Sequence, residues 1–343
     1  MLKTIDYREL QGNYVLIDVR SPSEFKEATI PGAINIPLFD DEDRKDIGYV
    51  YVNESVEKAK QMGIEAVSRR LPEIYEKIAA LYKAYGKLVF FCARGGMRSC
   101  SITALCNSLG LKAFRIKGGY KGYRDFINQE LPKVNQDIKY IVFHGKTGIG
   151  KTEILKCLKA KGCDVLDLEE AANHRGSLLG SVGLGEQTSQ KQFESLVYEE
   201  LKSRKSNYVF VEGESRRIGN IIISQCIFDS MRNGTHILGE AEISYRAKIL
   251  VSEYTKMENC KEEILLALDK MSRYISEENI TRFRQLVAEE QYEEVATELM
   301  IKYYDPMYSN EFKKYNYDLV FKINSVEECC DFLVGWLKEF RGE

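Results

Sequence analysis

Two short stretches carry residue types whose spacing could do chemistry. In Gly145-Lys146-Thr147-Gly148-Ile149-Gly150-Lys151-Thr152, a glycine, four free positions and then Gly-Lys-Thr reproduce the spacing of a phosphate-binding loop. The glycines let the backbone curl so that its N–H groups converge on an anion, and the helix that follows adds its partial positive charge. Lys151 supplies a mobile charge for terminal phosphate oxygens, and Thr152 a hydroxyl for phosphate or for a bound cation such as Mg²⁺. In the second stretch, Cys92 heads Ala93-Arg94-Gly95-Gly96-Met97-Arg98-Ser99. A thiol placed before a glycine-rich loop and a helix start faces several N–H donors, which favours the nucleophilic thiolate. Arg94 and Arg98 add cationic charge able to hold an oxyanion.

Elements able to hold both stretches are legible around them. The apolar run Tyr140-Ile141-Val142-Phe143 predicts a buried strand leading into the phosphate loop. Glu153 to Lys161, with Ile154, Leu155 and Leu158 on one face, predicts the helix leaving it, ended by Gly162. Lys87 to Phe91 predicts a buried strand with Cys92 at its end, and a helix from near Ser99 places Ile102, Leu105 and Cys106 inward. Upstream, Val15 to Arg20 reads as a strand, and Ser21-Pro22-Ser23-Glu24 as a helix start with a complete capping box. Ile30-Pro31-Gly32-Ala33-Ile34-Asn35-Ile36-Pro37 reads as a turn into another strand, Asp40 to Asp46 as a solvated loop, and Ser55 to Tyr85 as a helix. Short apolar runs alternating with helical patterns give a parallel α/β sheet. The polar stretch with proline from Leu131 to Asp137 marks a boundary, giving a first domain over 1–132 and a second over 138–343.

Further candidates lie in the second domain. Asp164 to Leu168 reads as a strand, followed by His174-Arg175-Gly176-Ser177 on a glycine-rich loop where an anionic substrate would be met. Tyr208 to Glu212 is a strand ending in a carboxylate, the usual place for an acid that orders a metal or a water beside a phosphate loop. Arg216 and Arg217 follow and are expected to direct positive charge toward that loop. Thr235 to Leu238 reads as a further strand, and residues from about 245 to 302 as an appended helical subdomain carrying Arg273, Arg282, Arg284 and Lys302. Those charges suit a solvated face or an RNA-facing one, and the sequence does not choose. Tyr303-Tyr304-Asp305-Pro306-Met307-Tyr308 is expected to stop the helix at Asp-Pro. Tyr317 to Phe321 and Ser325 to Arg341 supply a last strand and a closing helix.

Bulk properties narrow the class. At 343 residues the chain is long for one core, and 44% hydrophobic with 29% charged residues is a globular composition. No apolar run is long enough for a bilayer, and the start, Met1-Leu2-Lys3-Thr4-Ile5-Asp6, does not read as a signal peptide. Nine cysteines without a regular framework fit reduced thiols in a cytoplasm, and three histidines without a Cys-x-x-Cys pair predict no structural metal site. Cys100, Cys106, Cys157, Cys163, Cys226, Cys260, Cys329 and Cys330 read as packing residues.

The Leu16-Ile17-Asp18-Val19-Arg20 strand, Glu24-Phe25, the Ile30 to Pro37 turn and the Cys92 loop together resemble a rhodanese domain, in which the loop cysteine carries sulfur or selenium. Two departures stand out. Thr29 replaces the histidine usual before the Ile-Pro-Gly-Ala turn, and the loop is one residue longer than the common sulfurtransferase form, with Arg98 six after Cys92. That length resembles the dual-specificity phosphatase cousins, so a phosphatase or arsenate-reducing reading stays open. Joined in this order to Gly145–Thr152, His174–Ser177, Glu212–Gly219 and Tyr303–Tyr308, the chain resembles the bacterial tRNA 2-selenouridine synthase family. The resemblance implies a cytoplasmic transferase acting on wobble 2-thiouridine of tRNA, first S-alkylating it from geranyl diphosphate and then exchanging the S-geranyl group for selenium from selenophosphate, with no tightly bound cofactor. It implies Cys92, Arg94 and Arg98 as catalytic. It also implies the loop residues Gly145, Lys146, Thr147, Gly148, Gly150, Lys151 and Thr152 as the diphosphate cradle, and His174, Arg175, Ser177, Glu212, Arg216 and Arg217 as substrate-binding. An ATP- or GTP-dependent enzyme with a regulatory rhodanese module is the main rival, and a scaffold with an inert Cys92 is a third.

Overall fold

The computed structural model describes residues 3–176, 184–255, 260–271 and 274–342. The chain divides into two compact units, one running to Leu131 and including Glu194–Leu196, the other holding the rest.

The first unit is built from β1 (Thr4–Ile5), β2 (Val15–Asp18), α1 (Pro22–Glu27), β3 (Ile34–Asn35), α2 (Asp41–Asn53), α3 (Val56–Tyr85), β4 (Leu88–Phe91), α4 (Met97–Ser108), β5 (Ala113–Ile116) and α5 (Gly119–Asn135). Its strands pair in the order β1-β5-β4-β2-β3, all parallel. The β2 and β4 strands are buried along their whole length, as expected for apolar strands covered on both faces. Ile17, Val19, Ile78, Phe90 and Cys106 meet in the core.

Three expectations are corrected here. Asp40 to Asp46 is not a loop: Asp40 caps α2 by accepting from the Asp43 N–H at 2.8 Å, and Asp41, Glu42 and Asp43 fill its first turn. Acids there answer the exposed N–H groups and the helix dipole, so the charge run is a helix start. Nor is the polar stretch from Leu131 a break in structure, since α5 runs through Pro132 to Asn135. The helix after the Cys92 loop starts at Met97, two residues earlier than expected.

The second unit contains β6 (Lys139–Gly145), α6 (Lys151–Ala160), β7 (Asp164–Leu166), α7 (Leu168–Ala172), α8 (Gln190–Ser203), β8 (Tyr208–Glu212), the short antiparallel hairpin β9 (Arg217–Ile218) and β10 (Ile221–Ile222), α9 (Gln225–Arg232) and β11 (Thr235–Glu240). Helices α10 (Ile243–Tyr254), α11 (Cys260–Lys270), α12 (Glu277–Ala288), α13 (Tyr292–Leu299) and α14 (Asp305–Phe312) follow, then β12 (Leu319–Lys322) and α15 (Val326–Arg341). The sheet order is β12-β11-β6-β8-β7, all parallel, with the phosphate-loop strand in the middle. Ligands of such open sheets bind outside the carboxyl ends of the strands, which is where the loop after β6 lies. The helices between β11 and β12 carry their own core, including Leu268, Phe283, Val287 and Val295. Asp305-Pro306 does not stop them: one wide π-type turn over Met300–Tyr304 leads directly into α14. Proline is tolerated there because it stands in the first turn of the new helix, where its N–H has no helical partner to lose.

Candidate functional sites

In the first unit, β4 delivers Cys92 to the carboxyl edge of the sheet and α4 closes the loop behind it. The thiol is 3% exposed, with its Sγ 3.2 Å from the Ser99 hydroxyl. The loop is fastened from below: the Tyr120 N–H donates to the Cys92 carbonyl at 2.8 Å, Lys121 N–H to Ala93 at 2.9 Å, and Arg115 to Gly95 at 2.8 Å. Gly119, at φ 59°, lies under the loop so closely that any Cβ would collide with the Cys92 carbonyl oxygen and the Gly95 nitrogen. A fixed loop of this kind can present a group carried on sulfur without reorganising.

The two arginines separate. Arg98 donates to both carboxylate oxygens of Glu24, at 2.6 and 3.2 Å, while Arg94 is exposed on the loop. Burial pushes the Glu24 carboxyl up, but hydrogen bonding and charge from Arg98 outweigh it and hold it below its ordinary value. Glu24 also accepts from the Ser21 N–H at 3.2 Å, so the helix cap is the anchor of Arg98. Thr29, in the histidine's place, donates its hydroxyl to Asp18 at 2.9 Å, and Asp18 pairs with the buried Arg20. Burial pushes the Cys106 thiol to about 11 and Cys329 to about 12, as packing residues should be.

In the second unit, Gly148 and Gly150 both take φ 83° and turn the loop over the N-terminus of α6. A Cβ on Gly148 would stand 2.7 Å from the Arg246 carbonyl, so the loop is pressed against α10. Lys151 donates to the Gly145 carbonyl at 3.3 Å, folding its ammonium over the loop, and the Thr152 hydroxyl lies 3.4 Å from a Glu169 carboxylate oxygen. The cavity over the loop is walled by Gly150, Lys151, Thr152, Glu169, Arg175 and Glu214, among others. Thus Gly148, Gly150, Lys151, Thr152 and Arg175 come together as the sequence led one to expect.

Other candidates sit elsewhere. Glu212 is fully buried; one oxygen accepts from the Leu168 N–H at 3.1 Å and it does not wall the cavity. Burial, then the charge of Asp167, raises its carboxyl well above the ordinary value. Arg216 and Arg217 are exposed, and Arg217 donates to the Gly219 carbonyl within the β9–β10 hairpin instead of reaching the loop. His174 is half-buried, its proton affinity lowered by burial and then by Arg175. Ser177 and Arg273 lie outside the described residues. Among those residues, no group of three or more His, Cys, Asp or Glu side chains is placed to hold a metal ion.

Sequence reasoning missed how the loop is braced. Asp305 accepts from Arg246 at 2.6 and 2.9 Å and from Lys146 at 3.1 Å, while the Arg246 Nε donates to the Thr147 carbonyl at 2.8 Å. Arg246 is 3% exposed, and removing the partner of so buried a charge costs roughly 3–5 kcal/mol. Asp305 was visible in its tyrosine-rich motif, yet nothing there pointed to residue 246. Also missed was an apolar cavity of about 70 Å³ between the loop and the helical subdomain. Leu250, Ile264, Val287, Val295 and Leu299 line it, and it shares the wall residues Thr147, Leu250 and Tyr254 with the phosphate cavity.

A thiol-bearing loop on one parallel sheet and a phosphate loop on another define the class: a rhodanese-like module fused to a P-loop module. Residues 6–126 match the rhodanese-like domain model, and residues 138–339 match the model of the tRNA 2-selenouridine synthase AAA domain. Proteins named tRNA 2-selenouridine synthase are similar along the chain. That of Sulfurovum sp. (strain NBC37-1) is 28% identical over 98% of each chain, and that of Pseudomonas fluorescens (strain Pf0-1) 31% identical over 88% of this chain and 90% of the relative. That of Bdellovibrio bacteriovorus is 34% identical over 71% of this chain and 65% of its own length. The chain belongs to the tRNA 2-selenouridine synthase family.

Proposed function

We propose that this chain converts wobble 2-thiouridine of tRNA to 2-selenouridine through an S-geranyl intermediate, using geranyl diphosphate and then selenophosphate. The observation that carries the first step is the apolar cavity bordering the phosphate loop, with Thr147, Leu250 and Tyr254 in the walls of both cavities. A ligand with its diphosphate on the Gly148–Thr152 backbone and Lys151 would lay a hydrocarbon chain against Leu250, Val287 and Leu299, where a nucleoside would leave its hydroxyls and ring nitrogens without partners. The diphosphate is then a leaving group whose growing charge the loop N–H groups, Lys151 and Arg175 neutralise. Alkylation makes sense chemically because a thiocarbonyl sulfur departs poorly, whereas a thioether carbon is electrophilic and its thiol can leave. Cys92 is assigned to the selenium donor, with Arg94 at the loop surface for its phosphate.

The test is to incubate the full chain with a 2-thiouridine anticodon stem-loop and geranyl diphosphate, add selenophosphate, and measure the nucleosides by mass. The expected sequence is S-geranyl-2-thiouridine, then 2-selenouridine. Tight ATP or GTP binding with no alkylation would instead favour the nucleotide-driven reading.

A further inference from the structure

Three cavities of the second unit are neighbours with common walls. The apolar one shares Thr147, Leu250 and Tyr254 with the phosphate-loop cavity. That cavity shares Thr152, Glu169, Arg175 and Glu253 with an outer polar recess, whose far wall holds Lys156, Glu170 and Asn173. With a chain in the first and a diphosphate in the second, the reacting C1 carbon lies near the loop, beside the recess that shares Thr152, Glu169 and Arg175 with it.

We infer that the outer recess receives the target thiouracil base and that Glu169, at the junction with the phosphate loop, takes the N3 proton as the sulfur is alkylated. This rests on the prenyl-transfer reading above. The acceptor's own chemistry asks for such a group. When the thiocarbonyl sulfur attacks C1, the C1–O bond breaks and its electron pair leaves with the diphosphate. The ring is neutral again only when N3 loses its proton, the N–H pair becoming the C2=N3 double bond. A proton acceptor held beside the base therefore assists the step.

Glu169 has that position, with its oxygen 3.4 Å from the Thr152 hydroxyl and its side chain in both cavities. Asp167 and Glu212 are closed off beneath it, 7% and 0% exposed. The recess is walled by Glu153, Glu169, Glu170 and Glu253 together with Lys156 and Arg175, so it offers acceptors to the N–H donors of a base as well as donors to its carbonyl. Burial, followed by the negative charge of Glu214, pushes the Glu169 carboxyl up to about 8; Asp167 and Glu253 act in the same sense and Lys151 against them. A group poised there can take and release a proton near neutrality.

The experiment is single-turnover geranylation of a 2-thiouridine stem-loop by the full chain across pH, with Mg²⁺ titrated separately. Wild type should gain rate as pH rises through the Glu169 value. Glu169→Gln should lose about 100-fold or more and that pH limb, while binding geranyl diphosphate and responding to Mg²⁺ as wild type does. Glu214→Gln, which removes the like charge acting most strongly on Glu169, should move the limb to lower pH. Wild-type rates in Glu169→Gln would overturn the assignment. So would a loss matched by weakened diphosphate binding or an altered Mg²⁺ response, which would make Glu169 a holder of the anion or of a cation. An unmoved limb in Glu214→Gln would also count against it. If wild type alkylates nothing, the prenyl-transfer reading fails first and takes this one with it.

Discussion

At the scale of single residues, the carboxylates around the phosphate loop divide by burial. Glu212 lies under the loop with one oxygen on the Leu168 N–H and the other facing Asp167, two acceptors that need a proton between them. The folded state therefore keeps a proton on Glu212 above the ordinary value of 4.5, where the unfolded chain has lost it. Stability from this group is complete below that value and declines as pH rises through the raised one. Glu212→Gln, whose amide can donate to Asp167 at any pH, is expected to flatten the fall of melting temperature as pH rises above the ordinary value of 4.5. Parallel melting curves for the two proteins would refute the shared proton. Lys151 and Thr152 could be read from the chain because their neighbours in sequence are also their neighbours in space. Glu169 could not, since its partners Thr152, Glu214 and Glu253 come from three other segments brought together by the sheet order.

At the scale of elements, strands and the long helices were legible because apolar periodicity survives in any buried sheet or amphipathic helix. Misreadings fell where one residue type serves two local structures. The acids of Asp40 to Asp43 suit a loop or a helix start, and capping decided. Pro132 and Pro306 suggest helix ends, yet packing carried the helix across one and a π-type turn led into the other. The start of α5 is the least tolerant element, because Gly119 has a left-handed backbone and lies against the Cys92 loop. Gly119→Ala must move that loop, since the colliding atoms are backbone. It is expected to lower the melting temperature and to abolish selenium transfer, while geranylation at the phosphate loop continues. Undiminished selenation, measured as 2-selenouridine formed from the S-geranyl stem-loop, would mean the loop is not the selenium site.

At the scale of the whole molecule, the proposal that each unit carries one half-reaction makes a prediction neither half makes alone. If Cys92 serves only selenium transfer, Cys92→Ser should accumulate S-geranyl-2-thiouridine. Lys151→Ala, which removes the main cation from the diphosphate, should cut geranylation by about 100-fold or more, on the scale of losing a charge-stabilising donor. Given a pre-alkylated stem-loop, however, Lys151→Ala should form 2-selenouridine at the wild-type rate. Mixing the two variants with thiolated RNA, geranyl diphosphate and selenophosphate should then restore product, because the intermediate is a stable thioether on an RNA that can leave one molecule and enter another. The yield should rise with the concentration of Lys151→Ala, as a bimolecular hand-over requires. No recovery at any concentration, despite an active Lys151→Ala on pre-alkylated RNA, would mean that the intermediate is never released and both steps occur within one encounter. Equal loss of both steps in Cys92→Ser would end the division of labour itself.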